Sequence, residues 1–172
     1  MHYLYDLIHE RNADINTTDI YGQTIMHEIA HDWHTDVAQF FIENGGNINL
    51  PDFYGRTPLH VAASENYPEM CSFLIDNGAV VDSVTKHDPR RIANVDIKTP
   101  EQRQTPLHFA AAHDAKDCCE ILIERGADIE ARDFRQRTPL FVAAELDRSD
   151  SAKYLIEQKA DARAKGMFYT GV

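Results

Sequence analysis

The sequence predicts an all-α solenoid of helix-turn-helix units, stacked side by side and joined by extended β-hairpin loops. Three observations predict it. A tetrapeptide recurs four times, as Thr24-Ile25-Met26-His27, Thr57-Pro58-Leu59-His60, Thr105-Pro106-Leu107-His108 and Thr138-Pro139-Leu140-Phe141, at spacings of 33, 48 and 33 residues. At a fixed offset come a small-residue pair or its near equivalent (Ile29-Ala30, Ala62-Ala63, Ala110-Ala111, Ala143-Ala144) and then an apolar pair (Phe41-Ile42, Leu74-Ile75, Leu122-Ile123, Leu155-Ile156). Each unit closes on Gly45-Gly46-Asn47, Gly78-Ala79-Val80, Gly126-Ala127-Asp128 or Lys159-Ala160-Asp161.

Each element has a physical reason. Thr is a good N-cap, Pro is tolerated at the first helical position where no intrahelical N–H bond is lost, and Leu begins the apolar stripe. That starts the first helix. The Ala pair lets a short helix approach its neighbour closely, and the Leu-Ile pair supplies the larger contacts of the second helix. Gly then permits the left-handed C-cap conformation. One unit cannot bury its own apolar face, so stability is expected from stacking.

In chain order the array reads as a partial unit at 1–18, complete units at 19–51 and 52–82, an inserted loop at 83–100, complete units at 101–132 and 133–165, and at 166–172 the start of a further unit or a tail. The insertion adds about fifteen residues, and Pro89 and Pro100 argue against a long helix there. The partial units at both ends favour a chain cut from a longer array over unusual caps.

These residues resemble the ankyrin-repeat family, whose period and Thr-Pro-Leu-His-x-Ala signature they match from Tyr5 to Asp161 outside the insertion. Three departures stand out: Ile25 for the first-turn Pro, Phe141 for the fourth His, and Lys159 for the helix-ending Gly, the last costing about 1 kcal/mol if it takes positive φ. The terminal repeats are therefore expected to be the softest. Asn16 and Asn49 stand at hairpin positions where ankyrin proteins often carry Asn.

Composition narrows the function. Seventeen Lys and Arg against twenty-eight Asp and Glu give a formal charge of -11, a field that repels phosphate backbones and argues against nucleic acid. No apolar run reaches membrane-spanning length, and the first residues lack the basic flank and apolar stretch of a secretory signal, so direct membrane insertion is not expected. Three cysteines, Cys71, Cys118 and Cys119, form neither a disulfide framework nor a CxxC knuckle, and they suggest buried structural thiols in a cytoplasmic or nuclear protein.

One motif suggests catalysis. His27-Glu28-Ile29-Ala30-His31 is a formal H-E-x-x-H, which on a helix sets two imidazoles on one face beside a carboxylate, as in zinc peptidases. The competing explanation is that His27 is only the His of the tetrapeptide, whose equivalents His60 and His108 have no second His four residues on. In the family that His is structural, bonding near its own Thr and to the next turn. No phosphate loop is present, because Asn44-Gly45-Gly46-Asn47 is a helix end. The chain is expected to be no enzyme, with no cofactor and no small-molecule substrate. Trp33, in the turn of its unit, is expected to pack against a neighbouring turn.

The resemblance implies that hairpin tips and the exposed ends of the first helices line a concave groove that holds a protein or peptide. By register the tips carry Ile20-Tyr21, Phe53-Tyr54 and Phe134-Arg135, and the helix ends carry His31-Asp32, Ser64-Glu65, Ala112-His113 and Glu145-Leu146. Gln23, Arg56 and Arg137 precede the tetrapeptides, giving aromatic anchors with charged edges, the residue types of interface hot spots. The alternative for the tip aromatics is that they fold onto the adjacent hairpin. Arg90, Arg91 and Lys98 make a basic patch in the insertion, suited to an acidic or phosphate-bearing group, unless the loop is inconsequential. The expected role is an adaptor or scaffold. The alternative is a cytoplasmic array cut from a larger ion channel, receptor or signalling protein, with the zinc peptidase as a minor third.

Overall fold

The computed structural model describes residues 14–32, 34–85 and 102–164. Trp33 and the basic patch of Arg90, Arg91 and Lys98 lie outside the described residues. Among the described residues eight helices follow in pairs: α1 (Ile25–Asp32) and α2 (Thr35–Glu43), α3 (Pro58–Ser64) and α4 (Pro68–Asp76), α5 (Pro106–Ala112) and α6 (Lys116–Glu124), α7 (Pro139–Glu145) and α8 (Ser149–Glu157). Between pairs the chain turns back through tight loops. Among the described residues the hairpins carry one isolated antiparallel bridge, Thr18 to Thr24, rather than extended strands.

Helices α3, α5 and α7 begin as the tetrapeptide predicts, with Thr57, Thr105 and Thr138 as extended N-caps and Pro in the first turn. The first helices stack in one row, α1 on α3, α3 on α5 and α5 on α7. Small residues allow it: Ala30, Ala62, Ala63, Ala110, Ala111 and Ala143 are wholly buried. In the second row α4 packs on α6 and α6 on α8, while α2 and α4 scarcely touch. Phe41, Leu74, Leu122 and Leu155 fill equivalent core positions on the second helices, and burial of each such side chain is worth about 1.5–3 kcal/mol.

The helix ends follow the same logic. Gly45, Gly78 and Gly126 take φ of 83°, 94° and 89°, and Lys159 at the matching position is forced to 70°. The predicted departure is thus real, and a β-carbon sits where glycine is favoured. At the next position a paired change shows. Ala79, Ala127 and Ala160 each donate an amide to the carbonyl of Leu74, Leu122 or Leu155, whereas Gly46 donates to Phe41. A β-carbon on Gly46 would lie 2.0 Å from the Phe41 ring. The larger ring occupies the space the smaller backbone vacates.

Candidate partner-binding surface

Three hairpin tips are each built around one carboxylate. Asp19 Oδ1 accepts the amides of Tyr21 and Gln23, both at 2.8 Å, and Asp52 Oδ1 accepts those of Tyr54 at 2.9 Å and Arg56 at 2.8 Å. Asp133 Oδ1 accepts the Arg137 amide at 2.8 Å. Adjacent tips are stitched along the backbone, Phe53 N donating to Tyr21 O at 3.0 Å and Phe134 N to Gln102 O at 2.9 Å. In the interrupted repeat Thr85 does the work of the Asp: its amide donates to Gln104 O, its carbonyl accepts from Arg103 N, and its hydroxyl accepts from Gln104 N. The repeat frame is left after Thr85 and is already restored at Arg103, so the intervening chain leaves from a hairpin tip.

This scaffold sorts the predicted tip residues. Tyr21, Tyr54 and Phe134 are 53%, 44% and 40% exposed, and Ile20 reaches 82%. Phe53 instead lies against the neighbouring tip, with its ring within 2.3 Å of where a Gly22 β-carbon would stand. The tip aromatics therefore divide: Phe53 folds onto the adjacent hairpin, whereas Tyr21, Tyr54 and Phe134 stay exposed. Arg56 and Arg137 are committed within their own hairpins: each guanidinium binds its buried carboxylate, Asp52 at 2.7 Å or Asp133 at 2.8 Å, and Arg137 also pairs with Glu145. Arg56 lies over the Tyr54 ring at 5.3 Å. Arg135 is exposed and Gln23 half-buried.

At the helix-one ends, His31 and Asp32 are exposed and paired at 2.9 Å, and the hydrogen bond that His31 Nδ1 donates to Asp32 Oδ1 raises the His31 pKa above its ordinary 6.5. Ser64 Oγ turns back to donate to Val61 O at 2.8 Å. Glu65 is exposed. His113 Nδ1 donates to Phe109 O at 2.9 Å, and its ring stacks on Phe109 with 6.4 Å between centroids.

The tetrapeptide histidines are structural, as the resemblance implies. Nδ1 of His27, His60 and His108 accepts the amide of Thr24, Thr57 and Thr105 at 3.0, 3.1 and 3.2 Å. Nε2 donates to the carbonyls of Arg56, Gln104 and Arg137 in the next repeat, at 2.9, 3.0 and 3.0 Å. Only the neutral Nε2–H tautomer satisfies both partners. Burial lowers all three pKa values, that of His60 to about 4. With both nitrogens of His27 spent in this way, a zinc site on His27-Glu28-x-x-His31 would have to break two buried hydrogen bonds. Among the described residues no group of three or more His, Cys, Asp or Glu is placed to hold a metal.

A second ladder was not recognised from the sequence. Asn16 Oδ1 accepts Asn47 N at 2.7 Å while its amide donates to Gly45 O, and Asn49 does the same with Val80 N at 2.9 Å and Gly78 O at 3.0 Å. Asp82 and Glu130 hold the equivalent positions and can only accept, from Asp128 N and Asp161 N. The 33-residue offset of Asn16, Asn49 and Asp82 was the available signal.

The thiols are free and buried. Cys71 and Cys118 approach to 3.6 Å across the α4–α6 contact, and the bond to Cys71 together with burial pushes Cys118 above the ordinary thiol range. Burial pushes Cys119 up to about 12. All three pack as small buried side chains.

A family model for ankyrin repeats (3 copies) matches residues 2–85 and 86–165. The chain belongs to the ankyrin-repeat family. Ankyrin repeats are in general protein–protein interaction modules, on a fold that is not itself catalytic. No curated protein matches the chain. Among the described residues no helix is long and apolar enough to cross a membrane.

Proposed function

We propose that this chain is an adaptor or scaffold module that holds a protein or peptide on its hairpin tips and the adjoining ends of its first helices. The observation that carries this reading is the exposure of Tyr21, Tyr54 and Phe134, three large rings on tips whose backbone is ordered by Asp19, Asp52 and Asp133. Exposed polar groups beside them, His31, Asp32, Glu65, His113 and Arg135, supply the rim. A cytosolic or nuclear setting suits two thiols that remain unbonded at 3.6 Å.

Replacing Tyr21, Tyr54 and Phe134 together by Ser tests the reading. The expected result is a melting temperature within about 4 °C of the parent and loss of the partner recovered by affinity purification from the native cell. A collapse of stability with binding retained would assign the rings to the fold.

A further inference from the structure

A second surface lies on the other row of helices. Because α2 and α4 scarcely touch, whereas α4–α6 and α6–α8 pack closely, a cavity of about 540 Å³ opens between the first two second-row helices. Its lining is Phe40 and Phe73 with Thr35, Asp36, Gln39 and Glu43. Among the described residues neither Asp36 nor Glu43 has a cationic partner; Glu43 accepts only the Gln39 amide, at 2.8 Å. The charge around the cavity is one-sided, since α2 and α4 carry four carboxylates and neither lysine nor arginine.

The neighbouring junction shows what is missing. Asp76, at the end of α4, pairs with Arg125, which follows α6 and reaches back across the interface. One repeat earlier Glu43 holds the place of Asp76, but the place of Arg125 is taken by Asn77, whose amide is spent on Phe73 O at 2.8 Å. The same carboxylate position therefore receives a guanidinium at one junction and none at the other.

We propose that the α2–α4 groove receives an arginine side chain from a basic segment of a partner protein. The Phe73 ring attracts a cation through its face, the arginine stem packs along the apolar lining, and the planar guanidinium meets Asp36 and Glu43 with directed hydrogen bonds. The chain already contains this combination, in Arg56 lying over Tyr54 while bound to Asp52. A neutral or acidic occupant would bury the two carboxylates unpaired, which is costly. The inference does not depend on the tip surface.

A fluorescein-labelled peptide of alternating Arg and Ala, with citrulline and Glu counterparts as controls, tests it by anisotropy on the full chain. Only the Arg peptide is expected to bind. The pair Asp36→Asn and Glu43→Gln should weaken binding about tenfold, while Asp150→Asn and Glu157→Gln on α8, the same charge change away from the groove, should weaken it less than about threefold. Asn77→Arg should also weaken it, by supplying an internal guanidinium, and the Tyr21, Tyr54 and Phe134 to Ser variant should bind as the parent does. Equal weakening by both acid pairs would mean diffuse attraction and overturn the groove, as would failure of the Arg peptide to bind or loss of binding in the tip variant. Self-association of the chain abolished by Asp36→Asn and Glu43→Gln would make the occupant a second copy, which also overturns the proposal.

Discussion

The second and third described repeats and the outer two solve the same packing problem with different residues. Around His60 and His108 the signature is complete: Thr caps, Pro opens the helix, His ties the repeat to the next, and Gly78 or Gly126 ends the second helix. In the first repeat Ile25 replaces Pro and Phe41 must fill the space left by Gly46; in the fourth Phe141 replaces His and Lys159 takes the left-handed turn. Each outer departure is local and absorbed nearby. What the difference teaches is that the inter-repeat histidine bond is kept at every junction between the four described repeats, from His27, His60 and His108, while cap and turn defects can be carried singly at the flanks.

The largest effect should come from breaking that bond. His108→Leu leaves the Thr105 amide and the Arg137 carbonyl buried without their partner, and should cost about 2–4 kcal/mol in urea unfolding. Phe141→His should change stability by less than about 1 kcal/mol, because Thr138 already satisfies the Phe141 amide through its hydroxyl. Equal costs at both sites would erase the distinction between middle and flank. Acid should act through the same rings. Their folded pKa values lie below the unfolded value of 6.5, so the folded state binds fewer protons there. The stability they lend is complete above about pH 6.5 and is lost as pH falls below it; for His60 the loss runs down to about pH 4 and amounts to about 3 kcal/mol. His60→Gln and His108→Gln should flatten that part of a pH-stability curve.

A smaller effect is expected in the first repeat. Gly46→Ala drives a methyl into Phe41 and should cost about 1–3 kcal/mol, with most of the loss recovered by adding Phe41→Leu. Additive costs in a double-mutant cycle would mean that the two positions do not compensate each other. The smallest change belongs to the fourth repeat, where Lys159→Gly should raise stability by about 1 kcal/mol by relieving positive φ. Thermal unfolding would detect it as a rise of a few degrees.

Much of this architecture was legible because repeats convert chemistry into register. The tetrapeptide places the first helices and their Thr caps, the recurrence of His60 and His108 marks His27 as structural, and the substitution at Lys159 announces a strained turn. The candidate surface was legible only in outline. Phe53 and Phe134 hold the same place in their tips, yet Phe134 is exposed and Phe53 lies on Gly22, because the adjoining repeat carries Gly22 in one case and Arg103 at the matching place in the other. Arg56 and Arg137 read as free basic edges until Asp52 and Asp133 were seen buried beside them.

The sequence by itself determined the period, the helix starts and ends, and the need for stacking, since these follow from local capping, backbone conformation and a repeated apolar face. Only the tertiary structure decided which aromatics face outward, which charges are already paired, and where the second row of helices parts between Phe40 and Phe73. The physical reason is distance along the chain. Partners some 30 residues apart meet through the stack, so a side chain's availability is set by its neighbour in the next repeat rather than by its own surroundings in sequence.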